Sequence, residues 1–237
     1  MYILIKKLLK IILIGLGVLL AVGLLYALSI HQSLPKGTQG PEAEALAHKM
    51  LKAINHKDYK TTRFLEWSFR NNTHHYKWDR KKGIVEVRWS DNRVFLNLAK
   101  PGKSKVFQND QELKGEKVES LAEKAIEKFN NDSFWLVAPF KVFDKGTSRS
   151  IVPLDDGSKG LLVTYSEGGS TPGDSYLWKL NPNGFPNAFQ MWVKIIPIGG
   201  LEASWDDWIL TDTGAYLPKA HEFGPITMGL GNVKGYN

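Results

Sequence analysis

The apolar positions of this chain form one long unbroken run followed by a succession of short periodic segments. From Ile11 to Ile30, in "IILIGLGVLLAVGLLYALSI", no residue is charged, and the run matches the about 20 apolar residues that a membrane-spanning helix requires. The next stretch, "HQSLPKGTQGPE", mixes Pro, Gly and polar residues without a period, the composition of a tether. From Pro41 to about His56 the apolar residues Ala43, Leu46, Ala47, Met50 and Ile54 recur at helical spacing, with Pro41 suited to a first turn. The spacing predicts a helix with one buried face.

Short runs separated by turn residues come next: "TTRFLEWSF", "THHYKWD", "IVEVRW", "RVFLNLA" and "SKVFQ". His74, Tyr76 and Trp78 fall on one face of their segment, as Val85, Val87 and Trp89 do on the next, so an antiparallel meander is expected. A sheet with one apolar face has to cover it. Between Lys114 and Phe129, Val118, Leu121, Ala122, Ala125, Ile126 and Phe129 make an apolar helical stripe, and "FWLVAPFKVFD" follows as a separate aromatic segment interrupted at Pro139. Together they are the expected cover. Strands then resume in "SRSIVPL", "KGLLVTYSE", "DSYLWKL", "FQMWVKIIP", "LEASWDDWIL" and "AYLPKAHEF", with "NPNG" a hairpin signal between the third and fourth. The fold class is α+β, with residues 1–30 a transmembrane anchor, 31–40 a linker and 41–237 one domain.

Composition narrows what such a chain does. Lys6, Lys7 and Lys10 are the only charges in the first thirty residues and supply part of the net +7; without them +4 remains. The lysines orient the anchor with its amino end in the cytoplasm. The expected location is therefore the inner membrane, single-pass, with the domain periplasmic or otherwise extracytoplasmic. A nucleic-acid partner is not expected, since Lys and Arg are not clustered on one element and the densest run, "RKKG", is turn chemistry. The absence of cysteine excludes disulfides, thiol catalysis and a lipid-carrying cysteine.

Helix, antiparallel strands, a helical insert with the aromatic "FWLVAPFKVFD" segment, then further strands: this order over residues 42–237 resembles the LolA/LolB-like superfamily of outer-membrane lipoprotein-sorting proteins. The resemblance implies a curved antiparallel half-barrel whose apolar concave face holds acyl chains beneath a helical lid, residues 115–143 taking the lid's place. Two departures set this chain apart from a literal sorting protein, its own anchoring helix and its lack of a lipidated cysteine. The implied partners are the membrane, through the N-terminal helix, and a lipid or lipoprotein acyl chain, with a protein partner as the alternative. Each methylene removed from water contributes about 0.8 kcal/mol without needing a specific partner. The candidate lining residues are Trp78, Trp89, Trp178, Met191 and Trp192 from the strands and Phe134, Trp135, Leu136 and Phe140 from the lid. Met191 and Trp192 alternate and cannot both face inward, and the same aromatics serve equally well as core or protein-interface residues.

No catalytic group, metal or cofactor is expected. His74 and His75 point to opposite faces of a strand, and His48 and His56 lack an intervening helical partner, a poor ligand set. Asp206 and Asp207 in "SWDDW" diverge for the same reason, which makes an extracytoplasmic hydrolase the weaker alternative. The glycine-rich "SEGGSTPGDS", residues 166–175, lacks the ending of a phosphate loop and is expected as a hairpin connection.

Overall fold

Alternating burial along the strands of the first half shows why a sheet forms there. The computed structural model describes residues 2–167 and 171–237. Helix α1 (Tyr2–Ile30) is followed by α2 (Pro41–Ala53) and α3 (His56–Thr61). The meander is β1 (Phe64–Phe69), β2 (His74–Asp79), β3 (Ile84–Trp89), β4 (Asn92–Asn97), β5 (Lys105–Gln108) and β6 (Gln111–Glu112). Every second residue of β4 is buried, and the opposite face carries in-register ion pairs such as Lys77 with Glu66 at 3.0 Å. The β1–β2 turn holds Arg70, Asn71 and Asn72 in the left-handed region, where Asn is tolerated because its short amide bonds locally.

Helix α4 (Glu116–Val137) and a 3-10 turn (Ala138–Lys141) interrupt the strands. The helix is longer than the stripe that predicted it. Phe134, Trp135 and Leu136, expected in a separate segment, are its last turns, and Pro139 starts the 3-10 turn instead of splitting an extended stretch. Asp132 and Ser133 are buried within the helix, and the Asp132 carboxylate is met by His74 and Tyr76, distant in sequence.

The second half forms β7 (Thr147–Pro153), β8 (Lys159–Tyr165), β9 (Ser175–Leu180), β10 (Pro186–Trp192) and β11 (Leu201–Ser204) in one antiparallel five-stranded sheet. Strands β8 and β9 are hydrogen-bonded neighbours across the glycine-rich connection, of which 168–170 lie outside the described residues. "LEASWDDWIL", expected as one strand, splits around Trp205 and Asp206. Its second part, β12 (Asp207–Leu210), joins β13 (Tyr216–Phe223) and β14 (Ile226–Gly229) in a three-stranded sheet. The last strand, β15 (Lys234–Tyr236), returns to pair with β1, so the first sheet has seven strands.

The protein is thus α+β, with three antiparallel sheets around one core. Hydrogen bonds join the sheets, among them Ser68 N–H to Leu230 O at 2.9 Å on one side of the small sheet and Glu222 N–H to Ser204 Oγ at 2.9 Å on the other. Side chains of all three sheets, α2 and α4 meet in one cluster that includes Met50, Leu65, Val94, Leu136, Trp178, Phe189, Trp205 and Leu217. The stretch 31–40, expected as a free linker, lies against the outer face of the five-stranded sheet. Trp192 Nε1–H donates to Gln32 O at 2.8 Å, Thr38 and Ile151 exchange two backbone bonds at 2.8 and 2.9 Å, and a Cβ on Gly37 would lie 2.5 Å from that of Ser150.

The "NPNG" turn docks on α2. Gly184 has φ 90°, a Cβ there would come within 2.7 Å of Lys49 Cγ, and Lys49 Nζ donates to Pro182 O at 2.6 Å. Gly184→Ala adds a left-handed penalty and a steric one, and is expected to lower unfolding free energy by about 1–2 kcal/mol, as read from urea denaturation.

Candidate functional site

Helix α4 packs one face against β4, β5 and β13 and leaves the other exposed, so the interior beneath it depends on how this helix is held. Two polar contacts hold it. In its middle, Asp132 is 1% exposed. Its Oδ2 accepts from Tyr76 OH at 2.5 Å and from His74 Nδ1 at 2.7 Å, and its Oδ1 from Asn131 Nδ2 at 2.8 Å. On the other edge of the imidazole, Lys128 Nζ lies 3.0 Å from Nε2. An ammonium only donates, so Nε2 accepts and Nδ1–H donates to the Asp132 carboxylate. Burial first, then the charge and hydrogen bond of Asp132, push the Tyr76 phenol well above its ordinary pKa. Each polar atom has its complement here, and the arrangement joins α4 to β2.

The second contact closes the helix end. Proline has no N–H, so Pro139 leaves the Trp135 carbonyl without its intrahelical donor. His221 on β13 faces it, with Nε2 at 2.7 Å from Trp135 O and Nδ1 at 2.8 Å from Ser204 O; the neutral ring carries one N–H and donates to one of the two carbonyls at a time. One fully buried side chain thereby joins α4, β11 and β13. Burial pushes the His221 imidazole below its usual pKa, outweighing the upward pull of the two carbonyls, Asp206 and Asp207.

The nine candidate lining residues divide into separate groups. Trp178, Leu136, Phe140 and Met191 are buried in the core, and Trp78, Trp89, Phe134 and Trp135 are half-buried against it. Trp78 meets Phe129 edge to face at 5.1 Å, while Lys128 Nζ sits 5.6 Å over Trp89. Phe134 packs on Tyr176 at 4.7 Å, Trp135 on Phe189 at 5.5 Å and Trp178 on Trp205 at 4.9 Å. Phe140 stacks on Tyr59 at 3.8 Å. Trp192 is on the opposite face of its sheet, packed with Val152, Leu162 and Leu177; of the alternating pair it is Met191 that faces inward. Two open depressions of about 580 and 540 Å³ are lined mainly by polar groups, among them Glu66, His75, Lys77 and Arg88 in the first and Glu202, Asp206 and Glu222 in the second, and by none of the nine.

Sequence reasoning did not single out Tyr165, Tyr176, Phe189, Trp205, Asp132 or His221. Trp205 stood in plain view inside "SWDDW", where the carboxylates drew attention; Asp206 and Asp207 are exposed, with Lys219 Nζ 3.7 Å from Asp207. Six buried polar atoms find no partner among the described residues, and five are aromatic donors: Nε1 of Trp67, Trp78, Trp178 and Trp205, and the Tyr165 hydroxyl. Orphan donors of this kind are uncommon in a packed interior and costly. Among the described residues no three His, Asp or Glu side chains gather as a metal-binding group.

No family model, curated protein or solved structure matches the chain.

Removing the Asp132 charge leaves buried donors without an anion. Asp132→Asn is expected to cost roughly 3 kcal/mol in urea denaturation, and the double variant with Tyr76→Phe to cost less than the sum of the two. The lowered pKa of His221 means that the folded state binds fewer protons than the unfolded chain. Stability is therefore full above about pH 6.5, the ordinary histidine value, and declines as pH falls below it. Tm measured from about pH 8 down to about pH 5 is expected to fall more steeply in the native protein than in His221→Gln.

Proposed function

We propose that this chain is a membrane-anchored, extracytoplasmic, non-catalytic protein that binds a lipid or similar apolar chain in the layer occupied by α4, the helix acting as the lid. The observation that carries the reading is the set of orphan donors. Five aromatic N–H and O–H groups are buried without an acceptor among the described residues. An acyl ester fits that chemistry, because its chain needs only apolar area and its carbonyl oxygen accepts hydrogen bonds. The lid role is supported by the amphipathic character of α4 and by its two local polar fastenings, at Asp132 and at the Trp135 carbonyl. The order of elements supports a LolA/LolB-like half-barrel, with the acyl chain as ligand class.

Anchoring is supported by Leu9–Ile30, whose mean hydropathy is 2.8 and none of which is buried against the domain; a signal sequence meets the same description. Lys6, Lys7 and Lys10 before the span support an inner-membrane protein with the domain outside the cytoplasm.

One observation favours a second reading, a self-filled module that works through a protein partner: Trp178, Trp205, Phe189 and Leu136 are fully buried against one another. Mass spectrometry of organic extracts from the chain 31–237, which carries every buried core residue, separates the two. Stoichiometric acyl lipid is expected, with less in Tyr165→Phe, which keeps the ring and removes one donor. A folded domain free of lipid in both forms would establish the self-filled reading.

A further inference from the structure

We infer that the loop between β10 and β11, residues 193–200, is a second membrane contact that seats the domain on the lipid surface beside α1. The inference rests on the reading of α1 as a membrane anchor. It starts from the join between helix and domain. Helix α1 ends at Ile30, and the next two residues are stapled to this loop. Gly199 N–H donates to His31 Nδ1 at 3.0 Å, Gln32 N–H donates to Gly199 O at 2.9 Å, and Trp192, just before the loop, donates its indole N–H to Gln32 O.

Glycine is required at this join. A Cβ on Gly199 would collide with the Trp192 ring and the Gln32 carbonyl, and one on Gly200, whose φ is 81°, would lie 2.6 Å from Gln32 Cβ. The loop therefore cannot drift from the helix terminus. From Gly199 back to Ile195 the chain reaches at most about 14 Å, which keeps the loop tip beside the point where α1 leaves the hydrocarbon.

The tip has the chemistry of that zone. In "KIIPIGG", Ile195 is 70% exposed, Pro197 and Lys194 are exposed, and Ile196 and Ile198 are half-buried. An exposed isoleucine in bulk water is unremarkable on its own; held against a bilayer it enters the boundary between headgroups and acyl chains, as the apolar face of an interfacial segment does. Lys194 is placed for anionic headgroups, and Leu34, 47% exposed two residues beyond Gln32, adds apolar surface from the strap. With α1 and the loop both engaged, the domain has two points of attachment and its rotation about the anchor is restricted.

The test uses the full chain in vesicles of phosphatidylcholine with a minority of phosphatidylglycerol. The chain has no cysteine, so Ile195→Cys and, separately, Ile226→Cys on β14, 57% exposed, can each carry one environment-sensitive fluorophore. The label at 195 is expected to emit to the blue of the label at 226, to be quenched by lipids brominated on the acyl chain, and to resist iodide several-fold better. Equal iodide quenching at both sites, or equal protection at both, overturns the inference. Alkaline carbonate extraction reads the anchor independently: chain that stays with the vesicles while 195 remains open to iodide sinks only the loop contact, whereas chain released by carbonate sinks the anchor reading and the loop contact with it.

Discussion

A carboxylate taken out of water has to be met by donors, and the placement of Asp132 on the inner face of α4 fixes much of this structure. Tyr76 and His74 on β2 supply those donors, and Lys128, one turn earlier on α4, occupies the far nitrogen of the histidine. Positions of helix and sheet are thereby locked in both rotation and register, because a shift by one residue in β2 would turn His74 and Tyr76 to the solvent face. Apolar packing alone tolerates such slips more readily than a buried charge does.

The C-terminal end of the same helix obeys a parallel constraint. Pro139 ends α4 and deprives the Trp135 carbonyl of its donor, so an N–H has to come from elsewhere, and His221 brings β13 with it. Since the other ring nitrogen faces Ser204 O, the edges of two sheets meet at one imidazole. Around these two fastenings the aromatic residues of the five-stranded sheet pack on the last turns of α4. The last turns of α4 thereby lie between the aromatic residues of the five-stranded sheet and β13.

On the outside of the five-stranded sheet, the strap that follows the N-terminal apolar helix meets Trp192 through Gln32 and lies beside Val152 at Gly37. The same ten residues that connect α1 to the domain therefore pack on the edge of this second, smaller apolar cluster. A connection that is part of the packing transmits the orientation of the helix to the domain, which a flexible tether of similar length would not do.

Local periodicity in the amino-acid sequence determined the apolar N-terminal helix, α2, the meander β1–β5, most of the strands after α4 and the α+β class, because each depends on the character and spacing of apolar residues a few positions apart. Trp178 is buried in the core, whereas the alternation of Met191 and Trp192 left open which of the two faces inward. Tertiary structure decided the rest. The full length of α4 hinges on donors some sixty positions away for Asp132, and the division of "LEASWDDWIL" on two sheets competing for its halves. The strap depends on Ser150 and Trp192 receiving Gly37 and Gln32, and β15 on an unpaired edge of β1. Trp192 faced away from the core because a strand alternates, and which member of a pair points inward is set only once the sheet has a core to face. Polar residues in a helix and glycines in a loop carry no local sign of what they will touch; contact at long range in the sequence is what gives them their roles.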